Sequence, residues 1–253
     1  MIDTHSHLYL EEFEKDIEDV ISRAQENGIQ KIFLPSISRN EHQRMLDLAE
    51  RFQQICFPMI GLHPCYVKEN YLSELNHVKD SLVKNKFYAI GEVGLDFYWD
   101  KTFVKEQYAA FEFQIELAIS NNLPVIIHSR ESTKECVNII KNYASRGVKG
   151  IFHCFGGSLE EANEIIELGF YIGIGGVVTY KNSGLAKVLN EVSINNIVLE
   201  TDAPYLSPVP YRGKRNESSY LYNIAQKLSE IKNISMEEID EITTSNALKV
   251  FSI

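Results

Sequence analysis

Short apolar runs alternate with longer amphipathic stretches from one end of the chain to the other. The runs are rich in Ile, Val, Phe and Leu, and they show little alternation of polar and apolar positions. That pattern is typical of parallel strands buried on both faces. It predicts eight strands, at residues 2–5, 31–35, 56–62, 88–93, 124–128, 150–153, 171–175 and 197–201.

The stretches between the strands have apolar residues at helical spacing. The first stripe consists of Phe13, Ile17, Val20, Ile21 and Ala24, and Gly28 follows it as a stop signal. Two later stretches open with a capping box, formed by Ser158 with Glu161 and by Ser235 with Glu238. We therefore predict a helix after nearly every strand.

Eight strands separated by helices predict an α/β fold, a single (β/α)8 barrel of the TIM type found in metal-dependent hydrolases. The alternative is an open doubly wound sheet, which would have a glycine-rich phosphate loop after its first strand. This chain has His5-Ser-His7 at that place instead. Its 253 residues suit one barrel, and no linker or low-complexity tract divides them. We therefore expect one catalytic domain over residues 1–253.

Acidic residues outnumber basic residues by 35 to 25, which gives a formal net charge of −10. This charge argues against the coating of long nucleic acids, and acidic groups are part of what a divalent-cation site needs. No apolar run approaches the roughly 20 residues of a membrane helix, and no signal peptide precedes the first strand. We expect a cytoplasmic protein with no membrane partner. Its four cysteines form no CxxC pair, so we expect reduced thiols.

Side chains that commonly bind metals follow five of the predicted strands. They are His5, His7, Glu92, His128, His153 and Asp202. In an α/β barrel the carboxyl ends of all strands meet at one mouth, where the active site lies. We therefore expect these side chains to converge.

The first strand carries two of these candidates. His5 and His7 are two residues apart, so on a strand both point to the barrel interior, where they can bind one cation. Surface histidines produce the same spacing, and that alternative stays open. Glu92 follows an apolar strand, where an unpaired buried acid is costly. It either pairs with an arginine or bridges two cations with its two oxygens.

The other candidates follow later strands. His128 and His153 end consecutive strands; each is either a hydrogen-bonded core histidine or a ligand of a second cation. Asp202 ends the last strand, which lies beside the first in a closed barrel, although Asp before Ala-Pro also caps turns. We expect His63 at the rim as a substrate or leaving-group contact, with a structural turn histidine as the alternative.

Six motifs taken together resemble the TatD family of metal-dependent deoxyribonucleases, within the amidohydrolase superfamily. The motifs are Asp3-Thr-His-Ser-His7, Gly61-Leu-His-Pro64, Gly91-Glu-Val-Gly-Leu-Asp96, His128-Ser-Arg130, His153-Cys-Phe-Gly-Gly157 and Glu200-Thr-Asp-Ala-Pro-Tyr205. The resemblance implies a (β/α)8 barrel with two divalent cations. It implies that His5, His7 and Asp202 hold one cation, that His128 and His153 hold the other, and that Glu92 bridges them. Members of this family act on DNA, in several cases from the 3′ end.

The same residues suggest a mechanism. Two cations can hold a hydroxide between them and clamp the phosphate oxygens of an in-line displacement. We expect this bridging water to be the nucleophile and Asp202 to orient it or take its proton. Glu200 either supports the metal ligands or forms a core ion pair. Arg130 is the candidate for a bidentate phosphate contact.

Two further features point to the substrate. Residues 211–216, which include Arg212, form a compact basic loop after the last strand, and this loop either binds phosphates or is a solvated surface loop. Aromatic residues Phe97, Tyr98, Trp99 and Tyr205 either stack unpaired bases or pack the loops. We expect contacts with DNA ends, and single-stranded ends in particular.

The leading hypothesis is thus a 3′–5′ exodeoxyribonuclease that uses Mg²⁺, Mn²⁺ or Zn²⁺. The second hypothesis is a hydrolase of a small amide, ester or lactone, or of an aminoacyl ester, because the same metal site suits that chemistry. A third is a non-catalytic barrel with structural metals, although structural zinc sites are usually closed by four ligands.

Overall fold

Eight parallel strands alternate with helices in the computed structural model, which describes residues 1–253. Each strand begins near a predicted one, which confirms the strand pattern. The strands are β1 (Ile2–Asp3), β2 (Lys31–Pro35), β3 (Cys56–Met59), β4 (Ile90–Asp96), β5 (Val125–Arg130), β6 (Gly150–Phe152), β7 (Tyr171–Ile174) and β8 (Ile197–Leu199).

Nine α-helices surround the strands. They are α1 (Ile17–Glu26), α2 (Arg39–Arg51), α3 (Tyr71–Lys84), α4 (Val104–Asn121), α5 (Thr133–Tyr143), α6 (Leu159–Glu167), α7 (Leu185–Glu191), α8 (Leu221–Lys232) and α9 (Met236–Phe251). Both predicted capping boxes are confirmed, at Ser158 before α6 and at Ser235 before α9. Phe13 lies in a turn of 3-10 helix ahead of α1. None of these helices combines the length and the apolar character needed to cross a membrane.

The strands pair in chain order, as β1 to β3 in one parallel sheet and β4 to β8 in another. Two seams join the sheets. At one seam a parallel bridge links Ile60 with Ile90. At the other, Thr4 N–H donates to the carbonyl of Leu199 at 3.0 Å, so β8 lies beside β1. This arrangement is the predicted (β/α)8 barrel, with its seams held by isolated backbone hydrogen bonds and one bridge instead of full ladders.

Every strand except β2 ends at a different residue from the predicted one: β3, β6, β7 and β8 stop one to three residues early, and β1, β4 and β5 differ where the candidate ligands lie. β1 stops at Asp3, because Thr4 N–H turns to β8 while Ser6 N–H donates to Phe33 of β2 at 3.0 Å. His5 and His7 therefore lie beyond the strand. In contrast, β4 and β5 extend further than predicted, since their ladder continues until Asp96 pairs with Arg130.

Apolar side chains fill the barrel below the polar strand ends. Ile126 and Ile151 each lie two residues before a histidine, His128 and His153, so each shares that histidine's face of its strand. Both belong to a cluster of 11 buried apolar residues that includes the end of α9. The Phe251 ring stacks on Phe33 with centroids 3.5 Å apart. The interior is thus apolar at this level and polar where the strands end.

Candidate metal centre

Glu92 lies at the centre of a polar cluster where the strands end, and it is only 3% exposed. Its Oε1 is 2.8 Å from Nε2 of His153 and 2.9 Å from Nδ1 of His128. Its Oε2 is 3.2 Å from Nε2 of His5 and 3.6 Å from Nε2 of His7. Among the predicted ligands, the two oxygens of one carboxylate thus face two different pairs of imidazoles.

Asp202 completes the side of the cluster that contains His5 and His7. Its Oδ1 lies 3.7 Å from Nε2 of His5 and 3.5 Å from Nε2 of His7. The backbone of Asp202 is left-handed, with φ 56°, so the chain turns sharply after β8. The structure therefore brings all six predicted ligands together, although their first and last members are far apart in sequence.

The donor set suits divalent cations. Every ion-pair partner of Glu92 and Asp202 within 4.0 Å is a histidine, so the alternative of an arginine salt bridge for Glu92 does not hold. Ligand atoms of His5, His7 and Glu92 lie within 4.8 Å of one another. Imidazole nitrogens and carboxylate oxygens facing each other without a lysine or arginine fit Zn²⁺, Mn²⁺ or Mg²⁺.

Charge in the cluster is unevenly distributed. Burial opposes ionisation of Glu92, but His63, His153 and His5 outweigh it and hold the pKa of the carboxyl well below its usual range. Burial and the neighbouring His153 lower the pKa of His5. Burial also disfavours the charged form of His153, but Glu92 outweighs it and raises the pKa of His153. The cluster thus favours the anionic form of Glu92, while the pKa values of His5 and His153 are shifted in opposite directions.

Two residues that sequence reasoning did not identify orient the histidines. The Tyr9 hydroxyl donates to the Pro35 carbonyl at 2.7 Å and lies 3.0 Å from Nδ1 of His7. Since its proton is used, this hydroxyl accepts from Nδ1, which leaves the Nε2 lone pair of His7 for the cluster. On β4, Oδ2 of Asp96 lies 2.9 Å from Nε2 of His128. Tyr9 lies two residues after His7, a spacing that is the only sequence signal for its role.

Glu200 is fully buried beside His153, with Oε1 3.6 Å from Nδ1 of that ring. The same oxygen accepts the backbone N–H of Cys154 at 2.5 Å. Its other oxygen has no hydrogen-bond partner. Glu200 therefore neighbours the His128–His153 side of the cluster.

His63 lies deeper than the expected rim position. Its side chain is 12% exposed, and Nε2 is 3.2 Å from Oε1 of Glu92. Its Nδ1 accepts the backbone N–H of Cys65 at 3.1 Å. Because a backbone N–H only donates, the proton of a neutral His63 is on Nε2. His63 thus faces Glu92 as a hydrogen-bond donor.

A cavity of about 660 Å³ opens above the cluster. Arg130 and Tyr205, two predicted substrate contacts, line it together with Trp99. The Arg130 guanidinium lies over the Tyr98 ring, 4.1 Å from its centroid. Trp99 is 65% exposed, whereas Phe97 packs against the core and is not available for stacking.

The basic loop behaves differently from its expected role. Arg212 is exposed but does not line the cavity, and its guanidinium lies 4.4 Å from the centroid of Tyr180. Arg215 donates to both carboxylate oxygens of Asp16, at 2.8 and 2.6 Å. One positive charge of the loop is therefore neutralised within the protein, and a contact of Arg212 with substrate stays a prediction.

Comparison with known proteins agrees with this geometry. The family model for TatD related DNase matches residues 2–252. The chain is 40% identical to an uncharacterized metal-dependent hydrolase, YabD, from Bacillus subtilis (strain 168), over 100% of this chain and 99% of that protein. It is 31% identical to the 3′-5′ ssDNA/RNA exonuclease TatD of Pantoea ananatis (strain LMG 20103), over the full length of both.

A solved structure has the same fold. The crystal structure of YjjV, a TatD homolog from Escherichia coli K12, superimposes with a TM-score of 0.94. The two chains are 30% identical, and the match covers 100% of this chain and 98% of the other. The chain therefore belongs to the TatD-related DNase family and is a metal-dependent hydrolase.

Proposed function

We propose that this protein is a metal-dependent DNA phosphodiesterase that removes nucleotides from the 3′ ends of single-stranded DNA. One observation carries the proposal: the two oxygens of Glu92 face two separate imidazole pairs on the floor of a cavity that also contains Arg130. The Pantoea ananatis relative, named as a 3′-5′ exonuclease of single-stranded DNA and RNA, supports the direction of cleavage.

Two divalent cations would be held by residues of this cluster. In this assignment His5, His7 and Asp202 bind one, His128 and His153 bind the other, and Glu92 is shared. Such a pair activates a water as the nucleophile and neutralises charge on the phosphate. The identity of the cations is Mg²⁺, Mn²⁺ or Zn²⁺ on ligand chemistry.

Asp202 is the proposed proton acceptor. Burial opposes its ionisation, but the hydrogen bond to His7 and the charge of His5 outweigh it and lower the pKa of the carboxyl. The carboxylate is therefore anionic at neutral pH. It lines the cavity, where it can orient the attacking water and take its proton.

Arg130 and His63 are the proposed phosphate and leaving-group contacts. Arg130 presents a planar guanidinium that matches two phosphate oxygens. The stacking on Tyr98 limits its motion, so less entropy is lost on binding. His63 carries its proton on Nε2 at the cavity wall, where it faces Oε1 of Glu92; to donate to the oxygen that leaves, it exchanges this contact for one with the substrate.

The shape and charge of the molecule favour strand ends. A cavity of about 660 Å³ has the size of a small-molecule pocket and does not admit a duplex. The net charge of −10 opposes the wrapping of a long polymer. Tyr205, which is 49% exposed at the cavity, offers a face for an unpaired base.

The test is a product analysis on single-stranded oligonucleotides labelled at the 3′ or the 5′ end, in Mg²⁺, Mn²⁺ and Zn²⁺. We expect mononucleotides released from the 3′ end, and loss of this activity in Glu92→Ala. The exposed Glu167→Ala on α6 is the matched control and should retain it. No cleavage in any metal, or turnover of a small ester or lactone faster than DNA, would contradict the proposal.

A further inference from the structure

The carboxylate of Asp96 contacts two parts of the cavity, the predicted cation ligand His128 and the turn that carries Tyr98 and Trp99. Asp96 ends β4 and is 1% exposed. Its Oδ2 lies 2.9 Å from Nε2 of His128. Its Oδ1 accepts the backbone N–H groups of Tyr98 at 3.0 Å and Trp99 at 2.9 Å. One rigid group thus contacts a predicted cation ligand and the turn that carries two exposed aromatic rings.

The contact with His128 determines which nitrogen faces the cluster. An ionised carboxylate only accepts, so Nε2 of His128 carries the proton that points to Asp96. The other nitrogen, Nδ1, lies 2.9 Å from Oε1 of Glu92. A carboxylate behind a ligating histidine fixes the tautomer and the orientation of the ring. Asp96 therefore holds His128 with Nδ1 towards the place where a cation would bind.

The turn that Asp96 holds is the outer wall of the cavity. The rings of Tyr98 and Trp99 lie at 86° with centroids 4.9 Å apart, and the Arg130 guanidinium covers the Tyr98 ring. We call these three side chains the aromatic platform. Phe97 N–H donates to the carbonyl of Arg130 at 2.9 Å, and Arg130 follows His128 by two residues on β5. The aromatic platform is therefore connected to His128 in two ways, through the side chain of Asp96 and through the backbone of β5.

We propose that Asp96 is a positioning residue that couples the cation site at His128 to the aromatic platform. The two oxygens of the Asp96 carboxylate move together. A shift of the His128 ring therefore also moves Oδ1, the atom that accepts the backbone N–H of Trp99. Cation binding then changes the affinity of the aromatic platform for a substrate base, and base stacking changes the cation affinity by the same factor, since such coupling is reciprocal. The inference rests on the cation site of the proposed function and adds a link between that site and substrate binding.

Trp99 is the single tryptophan of the chain and reports on the platform directly. Metal-free protein is titrated with Zn²⁺, a diamagnetic ion, while tryptophan emission and bound zinc are both measured. The wild type should show an emission change. In Asp96→Asn the amide oxygen still accepts from the turn, but an amide N–H faces Nε2 of His128. One zinc equivalent should bind about 10- to 100-fold more weakly, and the emission change should disappear with it.

Asp100→Asn is the matched control. It makes the same chemical change four residues further on, where Asp100 pairs with Lys68 at 2.7 Å. We expect it to respond like the wild type. If zinc binds to the wild type with no change in emission, or if Asp96→Asn behaves like the wild type, the coupling is wrong while the cation site stands. If no zinc binds, the cation site itself fails and the coupling fails with it.

A second variant covers the case in which Asp96→Asn does not fold, as judged by circular dichroism. His128→Gln removes the ring but leaves the contacts of Asp96 with the turn. It should bind one zinc equivalent at His5 and His7 and show no change in Trp99 emission. An emission change of wild-type size in this variant would overturn the proposal.

Discussion

The imidazole rings of His5 and His153 stack face to face, with centroids 3.9 Å apart and planes within 5° of parallel. Two stacked imidazoles do not both carry charge easily, and burial, together with the neighbouring His153, lowers the pKa of His5. The stack also sets the distance between the two ligand groups, since His5 faces Oε2 of Glu92 and His153 faces Oε1. The cluster is therefore arranged as two halves around one carboxylate.

Proton release should accompany cation binding. The pKa of His153 is raised above its ordinary value of 6.5 because Glu92 and Glu200 outweigh the effect of burial. Below that raised pKa a proton must leave before Nε2 can bind a cation. Apparent affinity should therefore fall as pH decreases through the raised pKa. Calorimetric titrations in buffers of different ionisation enthalpy measure the protons released at pH 7, and a count of zero would contradict the assignment of His153 as a ligand.

His63 and His128 should respond differently to replacement. Both lie near Oε1 of Glu92, but the neutral His63 carries its proton on Nε2 and is a donor. His63→Gln should lower kcat and leave two bound cations per chain, whereas His128→Gln should lose one. Cation content after gel filtration distinguishes the two. Loss of a cation in His63→Gln would make His63 a ligand.

The two arginines should differ in a way that depends on substrate length. Arg130→Gln should lower kcat/KM on a dinucleotide by about 10- to 100-fold, since a charged hydrogen bond contributes roughly 1.5–3 kcal/mol. Arg212→Gln should change it by less than about twofold, because exposed charges outside a cavity contribute little. On a longer strand the effect of Arg212→Gln should grow. Steady-state kinetics on both substrates test this, and equal losses on the dinucleotide would contradict it.

His42 should make the fold sensitive to acid. It lies on α2, buried, with Nδ1 2.7 Å from Nε2 of His77 on α3. Burial, and the charge of His77, lower its pKa to about 4 from 6.5. The unfolded chain thus binds a proton more readily between pH 6.5 and 4, so this contribution to stability is present above pH 6.5 and is lost as pH falls towards 4.

Urea unfolding in the presence of a chelator measures the effect of His42. Between pH 7 and pH 5 the free energy of unfolding of the wild type should fall by on the order of 2 kcal/mol more than that of His42→Gln. The chelator removes any contribution from bound cations. Equal losses in the two proteins would show that His42 does not titrate in this range.

The gathering of the ligands was predictable because parallel strands all end at one mouth of the barrel. An apolar run that finishes in a histidine or an acid, such as the runs before His128 and Glu92, places that side chain there without knowledge of any contact. The residues at which β1 and β4 end were less predictable. Their ends depend on hydrogen bonds between strands, such as the one from Thr4 to Leu199, that no local pattern records.

Residues that act through another side chain could not be found from sequence. Asp96 meets His128 only because the β4–β5 register pairs Gly94 with that histidine. His42 has polar neighbours in the sequence, but it is buried where α2 and α3 place it against His77. Arg215 belongs to the basic loop that was a candidate for binding phosphates, but in the fold it pairs with Asp16. Each of these contacts joins segments far apart in the chain.

The most direct test of the central claim is anomalous diffraction from crystals soaked with Mn²⁺. We expect two anomalous peaks, one on each side of the Glu92 carboxylate, contacted by His5, His7 and Asp202 on one side and by His128 and His153 on the other. A single peak, or peaks that do not touch Glu92, would contradict it.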